Sequence, residues 1–197
     1  MKYIRTVLAS ASPRRKEILN LIGIYPKIVI ADLDEIVKKG ENSESFIERI
    51  AKEKALRINP EEYYGSLIIS ADTVVLLRDK IIGKPSGREE AFDMLKELSD
   101  NTHTVLTGVN LIYKNSSRFI LTKTKVMFNK LDEIEIEYYL NNEKYLDKAG
   151  AYAIQGLASI FVKGIEGCFF NVMGFPINSF YSLIKELGIS IQQISKE

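Results

Sequence analysis

A short polar segment near the start of the chain carries the side chains best suited to hold an anion. Residues 10–15 are Ser-Ala-Ser-Pro-Arg-Arg, and they follow an apolar run that is typical of a buried strand. A turn from a strand into a helix presents unbonded backbone N–H groups, which hydroxyls and guanidiniums from Ser10, Ser12, Arg14 and Arg15 would surround. Arginine binds phosphate through paired hydrogen bonds, so this segment indicates a phosphate site. A capped helix with solvated arginines is the alternative interpretation.

A single carboxylate interrupts the most apolar stretch of the chain. Asp72 lies within residues 67–77, which are otherwise rich in Leu, Ile and Val. Burial of an unpaired carboxylate is costly, so we expect a cationic partner or a metal beside Asp72. A catalytic base and a Mg²⁺ ligand both agree with this position, and a hydrogen-bonded Asp at a β-bulge is the structural alternative.

Two lysines are candidate contacts to phosphate. Lys84 lies between Gly83 and Pro85, which predict a stiff turn that projects the ammonium, although an exposed surface lysine has the same pattern. This turn is not a Walker loop, because the surrounding glycines and the following Ser or Thr are missing. On the predicted second helix, Lys52 and Lys54 point about 200° apart, and Lys54 borders the apolar face. We therefore expect Lys54 to point inward.

Two further segments hold groups that suit a metal or a nucleobase. Residues 32–35, Asp-Leu-Asp-Glu, place carboxylates after the predicted second strand, where they would hold a divalent cation or face solvent. Residues 148–156 combine small side chains with Gln155, whose amide offers an acceptor and two donors. That amide can recognise the edge of a base or satisfy a loop carbonyl. His103, at the start of a predicted strand, is interpreted as structural.

The elements that must position these groups alternate between strand and helix, which is typical of α/β architecture. Two hairpin-like pairs interrupt the alternation and predict a mixed sheet. The predicted strands cover residues 3–9, 27–31, 67–77, 81–82, 103–113, 118–129 and 160–162. The predicted helices begin near Ser12, Ser43, Gly87, Asp132 and Pro176, where capping residues or prolines precede apolar residues at helical spacing.

Composition narrows the class of protein. The 197 residues include 27 Lys or Arg and 26 Asp or Glu, and this near-neutral balance argues against a general nucleic-acid binder. One cysteine and one histidine exclude an internal disulfide framework and a multi-histidine zinc site. Charges interrupt every apolar run before it reaches the length of a membrane span, and the N-terminus is not typical of a signal peptide. We therefore expect a cytoplasmic enzyme that uses carboxylates and cations.

The order of these segments resembles the Maf family, also called septum-formation proteins, of nucleoside triphosphate pyrophosphatases. The resemblance spans roughly residues 3–187. It is carried by Leu-Ala-Ser-Ala-Ser-Pro-Arg-Arg at 8–15, Ala-Lys-Glu-Lys-Ala at 51–55, Ala-Asp-Thr-Val-Val at 71–75, Gly-Lys-Pro at 83–85, Met-Leu-Lys-Glu-Leu-Ser at 94–99, His-Thr-Val-Leu-Thr-Gly-Val at 103–109, Asp-Lys-Ala-Gly-Ala-Tyr-Ala-Ile-Gln-Gly at 147–156 and Asn-Val-Met-Gly-Phe-Pro at 171–176. Phe175 stands where the family commonly has Leu.

The resemblance implies one Maf-like domain over residues 1–197, with a long twisted mixed sheet flanked by helices and a cleft between two lobes. It implies hydrolysis of a nucleoside triphosphate to the monophosphate and pyrophosphate with Mg²⁺ or Mn²⁺, for clearance of unwanted nucleotides. The segment that contains Gln155 resembles the branch that acts on dTTP and UTP. The same chemistry on a modified purine such as 7-methyl-GTP, and a non-catalytic regulator of septum formation, are the alternatives. A homodimer is also implied, with no membrane or nucleic-acid partner.

The resemblance also implies a role for each matching residue. Asp72 corresponds to the proton acceptor that activates water, and with Glu35 it corresponds to the metal-binding carboxylates. Positions linked to substrate choice are Arg14, Thr73 and Gln155. Positions that contact phosphate are Ser10, Arg15, Lys54 and Lys84. Glu35 lies in a loosely matching loop.

Overall fold

The computed structural model describes residues 3–194, and within that range it contains seven strands and six α-helices. The strands are β1 (Thr6–Leu8), β2 (Lys27–Ile28), β3 (Leu67–Leu77), β4 (Lys80–Ile82), β5 (Thr102–Tyr113), β6 (Ser116–Phe128) and β7 (Val162–Glu166). The α-helices are α1 (Pro13–Leu21), α2 (Ser43–Leu56), α3 (Arg88–Leu98), α4 (Glu133–Asn142), α5 (Phe169–Val172) and α6 (Ile177–Glu186). No helix in this range is long and apolar enough to cross a membrane.

The seven strands form one mixed sheet, which confirms the predicted α/β class. The strand order is β2-β1-β3-β5-β6-β7, and β4 also pairs with β3. Strand β1 runs parallel to both β2 and β3, whereas the β3–β4 and β6–β7 pairs are antiparallel. Parallel pairs therefore coexist with antiparallel pairs, as the sequence pattern predicts. The predicted cleft between two lobes stays a prediction.

Three predicted strands differ clearly from the observed ones. The first strand, β1, is Thr6–Leu8 rather than residues 3–9. The second strand is Lys27–Ile28 rather than residues 27–31, because both residues are exposed at the edge of the sheet and a single further bond, from Val29 N to Leu8 O, extends it. The last strand begins at Val162, since residues 156–161 form a 3₁₀ helix that starts at Gly156, with φ of 77°. An apolar run alone did not distinguish a strand from an irregular edge segment or from a 3₁₀ helix.

The chain divides into two compact units. The first comprises described residues 3–72, 107–122 and 174–194. Its core includes the buried face of α2, which carries Phe46, Ile47 and Ile50, together with a cluster that packs Ala55 and Ile58 against β1 and β3. The Ser70 hydroxyl of β3 donates a 2.6 Å hydrogen bond to the carbonyl of Ala51. This bond ties the middle of α2 to the strand that carries Asp72.

The second unit comprises Thr73–Leu106 and Lys123–Met173. Helix α4 begins with a capping box, in which the Asp132 side chain accepts from Glu135 N and the Glu135 side chain accepts from Asp132 N. The predicted capping spacing of these two residues is therefore confirmed. The aromatic rings of Phe128, Tyr139 and Phe161 are buried in the core of this unit and contact one another.

Candidate active site

The first unit contains a buried ion pair. The Nζ atom of Lys54 on α2 is 2.7 Å from Oδ1 of Asp72 on β3, and the two side chains are 9% and 7% exposed. Lys54 points inward because it borders the apolar face of α2, whereas Lys52 lies at the surface and pairs with Glu48. The predicted inward orientation of Lys54 is confirmed. A cationic partner or a metal was expected beside Asp72, and Lys54 is a cationic partner. The pair gives a carboxylate an ionic partner among apolar strand residues.

The same lysine also contacts the acidic loop that precedes α2. Lys54 Nζ is 2.6 Å from Oε1 of Glu35, whose side chain is 34% exposed. One ammonium therefore joins the two carboxylates that the sequence suggested for a metal. Arg49 of α2 and Arg57, which directly follows that helix, hold the rest of the loop, because they donate hydrogen bonds to the carbonyls of Ile36 and Asp32. Glu35 is thus placed by one face of α2, although no strand or helix contains it.

The turn at residues 10–15 has an ordered network of its own. The Ser10 hydroxyl accepts hydrogen bonds from Ser12 N at 3.2 Å and from a terminal nitrogen of Arg15 at 3.0 Å. The Nε of Arg15 donates to the carbonyl of Gly174 at 3.0 Å. Helix α1 begins at Pro13 as predicted, but the Ser12 side chain at the N-cap position accepts no capping bond. The Ser10 hydroxyl instead accepts the hydrogen bond from the backbone N–H of Ser12.

Other charged groups of the first unit influence the pKa of the buried guanidinium of Arg15. Burial lowers the pKa of Arg15, while the carboxylates of Asp72 and Glu35 oppose that change and the neighbouring Arg14 adds to it. Arg15 is 8% exposed, and Arg14 is half-buried. The predicted residues Ser10, Arg14, Arg15, Glu35, Lys54 and Asp72 therefore form one mixed set of charges and hydroxyls. Such a set can hold an anion and a proton acceptor in the same place.

The other three predicted residues belong to the second unit. Thr73 follows Asp72 on β3 and is half-buried, while Lys84 and Gln155 are exposed. The loops that carry Lys84 and Gln155 are joined by a backbone hydrogen bond of 2.9 Å from Gly150 N to Gly83 O. Leu157 N donates to a carboxylate oxygen of Glu143 at 3.0 Å, which fixes the chain just after Gln155. Both exposed side chains therefore extend from anchored backbone.

The carboxylates of the first unit suit one kind of metal site. Within residues 3–194, no group of three or more His, Cys, Asp or Glu side chains could hold a metal ion. The donors available are Asp72 and Glu35, and Lys54 contacts both of them. Mg²⁺ often binds through one or two carboxylates together with phosphates of the substrate. The donor set fits a cation that is shared with a phosphorylated ligand, and it does not fit an all-protein cage.

Three positions in these networks had no role assigned to them from the sequence. They are Ser70, whose hydroxyl holds α2, Gly174, whose carbonyl accepts from Arg15, and Tyr152, whose hydroxyl lies 2.7 Å from Nε2 of His103. Gly174 and Tyr152 lie inside segments that carry the family resemblance, which was the available signal. Nothing in the residue types pointed to a carbonyl at residue 174 as a partner of Arg15.

Comparison with protein families and characterised sequences places the chain among related proteins. The Maf family, described as Maf-like protein, matches residues 5–187. A dTTP/UTP pyrophosphatase of Desulforamulus reducens is 40% identical over 187 residues, which cover 94% of this chain and 97% of that protein. A protein of the same name from Geobacillus sp. strain WCH70 is 43% identical over 182 residues, covering 92% and 97% of the two chains.

Solved structures agree with the fold. A HAM1 protein from Coxiella burnetii matches with a TM-score of 0.50 over 93% of this chain and 99% of that chain. The two sequences are 12% identical, so the similarity concerns the fold alone.

Proposed function

The chain belongs to the Maf family, and from this premise we propose that it is a pyrophosphatase that hydrolyses dTTP and UTP. Relatives that bear this name are about two-fifths identical over more than nine-tenths of the chain. The proposed reaction converts the nucleoside triphosphate into the monophosphate and pyrophosphate. It would clear unwanted pyrimidine nucleotides from the cellular pool.

The observation that best supports this chemistry is the buried pair of Lys54 and Asp72 in the same unit as the Ser10–Arg15 network. We propose that Asp72 accepts a proton from a water molecule that attacks the α-phosphorus. A bond forms between the water oxygen and this phosphorus, and the bond from it to the α,β-bridging oxygen breaks. Pyrophosphate leaves with the bonding electrons, and cationic groups stabilise the negative charge that develops.

The remaining roles are assigned by motif and chemistry. We propose that Ser10, Arg15, Lys54 and Lys84 contact the phosphates, and that Arg14, Thr73 and Gln155 select the substrate. A divalent cation, Mg²⁺ or Mn²⁺, would be held by Asp72 and Glu35 and would neutralise charge on the phosphate oxygens. Asp72 would accept the proton of the attacking water whether or not it also binds the metal. A homodimer, one Maf-like domain over residues 1–197 and a cytoplasmic location complete the proposal.

A panel of nucleotides tests this function. The purified protein would be incubated with Mg²⁺ and dTTP, UTP, dGTP or 7-methyl-GTP, and the products separated by ion-exchange chromatography. We expect thymidine and uridine monophosphates together with pyrophosphate. Diphosphate and inorganic phosphate as the first products would contradict the proposed bond cleavage. Preference for 7-methyl-GTP would favour the purine alternative, and the absence of any hydrolysis would favour a non-catalytic regulator.

A further inference from the structure

A histidine and a tyrosine share a buried hydrogen bond in the second unit. His103 lies on β5, and Tyr152 follows the short 3₁₀ turn Ala149–Ala151. The Nε2 atom of His103 is 2.7 Å from the hydroxyl of Tyr152, and the residues are 1% and 6% exposed. Phe128 contacts both rings edge to face, with centroids 4.9 Å from each. The hydrogen bond is therefore enclosed by aromatic carbon.

The surroundings make this hydrogen bond the main polar constraint on the two rings. Burial lowers the pKa of His103 to about 4 and raises the pKa of the Tyr152 hydroxyl. Both groups are therefore neutral at physiological pH. Within the described part of the chain, Nδ1 of His103 has no hydrogen-bond partner, so the imidazole has the Tyr152 hydroxyl as its polar contact. In a poorly polarisable surrounding such a bond favours one arrangement of the rings over others.

Tyr152 anchors the segment that carries Gln155. Before Tyr152, the carbonyl of Ala151 accepts a 3.2 Å hydrogen bond from the Tyr139 hydroxyl, and Ala151 has φ of 60°. After Gln155, the Glu143 carboxylate holds Leu157 N. Only a few residues lie between these two anchors. Among them, Tyr152 has a side chain that forms a buried hydrogen bond, the one with His103. The position of the exposed Gln155 amide therefore depends on where the Tyr152 ring is held.

We propose that His103 and Tyr152 are positioning residues for base selection, because their hydrogen bond sets the backbone from which Gln155 extends. The proposal rests on the pyrophosphatase function and adds residues to it. Neither side chain is assigned a contact with substrate. Their effect is on the discrimination between pyrimidine and purine nucleotides, and it acts through Gln155.

A double-mutant cycle tests this dependence. We would measure kcat and KM for dTTP and dGTP in the wild type, Tyr152→Phe, Gln155→Ala and the double variant. Tyr152→Phe removes one oxygen and should raise the KM for dTTP about tenfold with little change in kcat. The reason is that a misplaced Gln155 amide loses a hydrogen bond to the base. The same change in the Gln155→Ala background should leave the dTTP/dGTP ratio of kcat/KM unaltered. An equal loss for both nucleotides, or additive losses in the double variant, would overturn the proposal.

Three comparisons separate positioning from general loss of structure. Tyr138→Phe removes a hydroxyl from an exposed tyrosine of the same unit and should leave the nucleotide ratio unchanged. His103→Gln keeps a donor that can reach the Tyr152 hydroxyl and should retain the preference, whereas His103→Leu should lose it. If Tyr152→Phe fails to fold, the two variants of His103 are sufficient to test the proposal. A wild type inactive on every nucleotide refutes the proposed function itself, whereas an active wild type with an unaltered ratio in His103→Leu refutes only the positioning role.

Discussion

The Lys54 ammonium lies 2.7 Å from a carboxylate oxygen of Asp72, and both side chains are more than nine-tenths buried. Taking either charge away leaves the other without its partner in a poorly solvated place, which is strongly unfavourable. Glu35 moderates this effect only for the loss of Asp72, because it contacts Lys54 and leaves that ammonium with a carboxylate partner. The pair therefore offsets part of the cost of placing a carboxylate inside the sheet, at the residue that we propose as the proton acceptor.

Substitution of Asp72 by Asn tests the proposed proton acceptor. Turnover of dTTP should fall by a factor of about 100 or more, because general-base catalysis contributes at least that much. The free energy of unfolding should fall by less than about 3 kcal/mol, since Lys54 keeps Glu35 as a partner. Steady-state kinetics and urea unfolding measure the two quantities. Asp93→Asn, at an exposed position of α3, is the matched control, and undiminished turnover in Asp72→Asn would exclude the assigned role.

Substitution of Lys54 by Met tests whether its ammonium competes with a metal for the two carboxylates. Without that charge, Asp72 and Glu35 should attract a cation more strongly, so the affinity for Mn²⁺ should rise about fivefold or more. Titration calorimetry with Mn²⁺ alone would measure this change. Lys52→Met, two positions away at the surface of the same helix, should leave the affinity unchanged. Equal or weaker Mn²⁺ binding by Lys54→Met would show that these carboxylates do not hold the metal.

Arg15→Lys should weaken the turn that contains Ser10. Lysine cannot reach the Ser10 hydroxyl and the Gly174 carbonyl with the planar fork that arginine uses. Loss of these bonds should lower the free energy of unfolding by about 1–3 kcal/mol, as measured by urea denaturation. Arg118→Lys, at an exposed position of β6, should have little effect. Equal stability of the two variants would mean that the fork does not stabilise the turn.

Gly108→Ala should disturb the packing between α2 and β5. An added Cβ would lie 2.5 Å from Cγ2 of Ile47 and 2.8 Å from Cε2 of Phe119, which is too close for carbon atoms. Such overpacking should cost about 1–3 kcal/mol of stability. At Gly83 an added Cβ meets no described atom within 4 Å, so Gly83→Ala serves as the comparison in thermal unfolding. A melting temperature as high as that of wild type would show that α2 can move without cost.

His103 should make stability depend on pH. Its pKa is lowered from 6.5 to about 4 by burial, so the folded protein binds fewer protons on this residue than the unfolded chain within that interval. The free energy of unfolding should therefore fall as the pH drops from about 6.5 to about 4, by at most about 3 kcal/mol. His103→Gln removes the titrating group and should flatten this part of the profile. Chemical denaturation at several pH values measures both curves, and parallel slopes would contradict the assignment.

The sequence was sufficient to predict features that follow from local spacing and from the cost of buried charge. Lys54 borders an apolar helical face, so its inward direction follows from the helical repeat. Asp72 interrupts a strand of apolar residues, so a cationic partner or a metal was expected beside it. The capping box at Asp132 and Glu135 likewise depends on a spacing of three residues.

Other features depend on contacts between distant parts of the chain. Arg15 and Gly174 are 159 positions apart, and no residue pattern marks a carbonyl as an acceptor. Residues 156–161 are apolar enough for a strand, but the left-handed conformation of Gly156 begins a 3₁₀ helix there. Glu35 has neither helical nor strand periodicity around it, so its approach to Lys54 could not be derived from local rules.

The loop before α2 is held mainly by charge, through Arg49, Lys54 and Arg57. Arg57 is exposed and the Glu35 side chain is 34% exposed. Electrostatic attachments of such groups weaken with ionic strength, because the screening length shrinks from about 8 Å in physiological salt to about 3 Å at 1 M. The hydrophobic sheet has no such sensitivity. Added potassium chloride should therefore loosen the Glu35 loop while the sheet stays folded, and limited proteolysis would detect cleavage there first. Any activity that needs Glu35 in place would then decline at salt concentrations well below those that denature the protein.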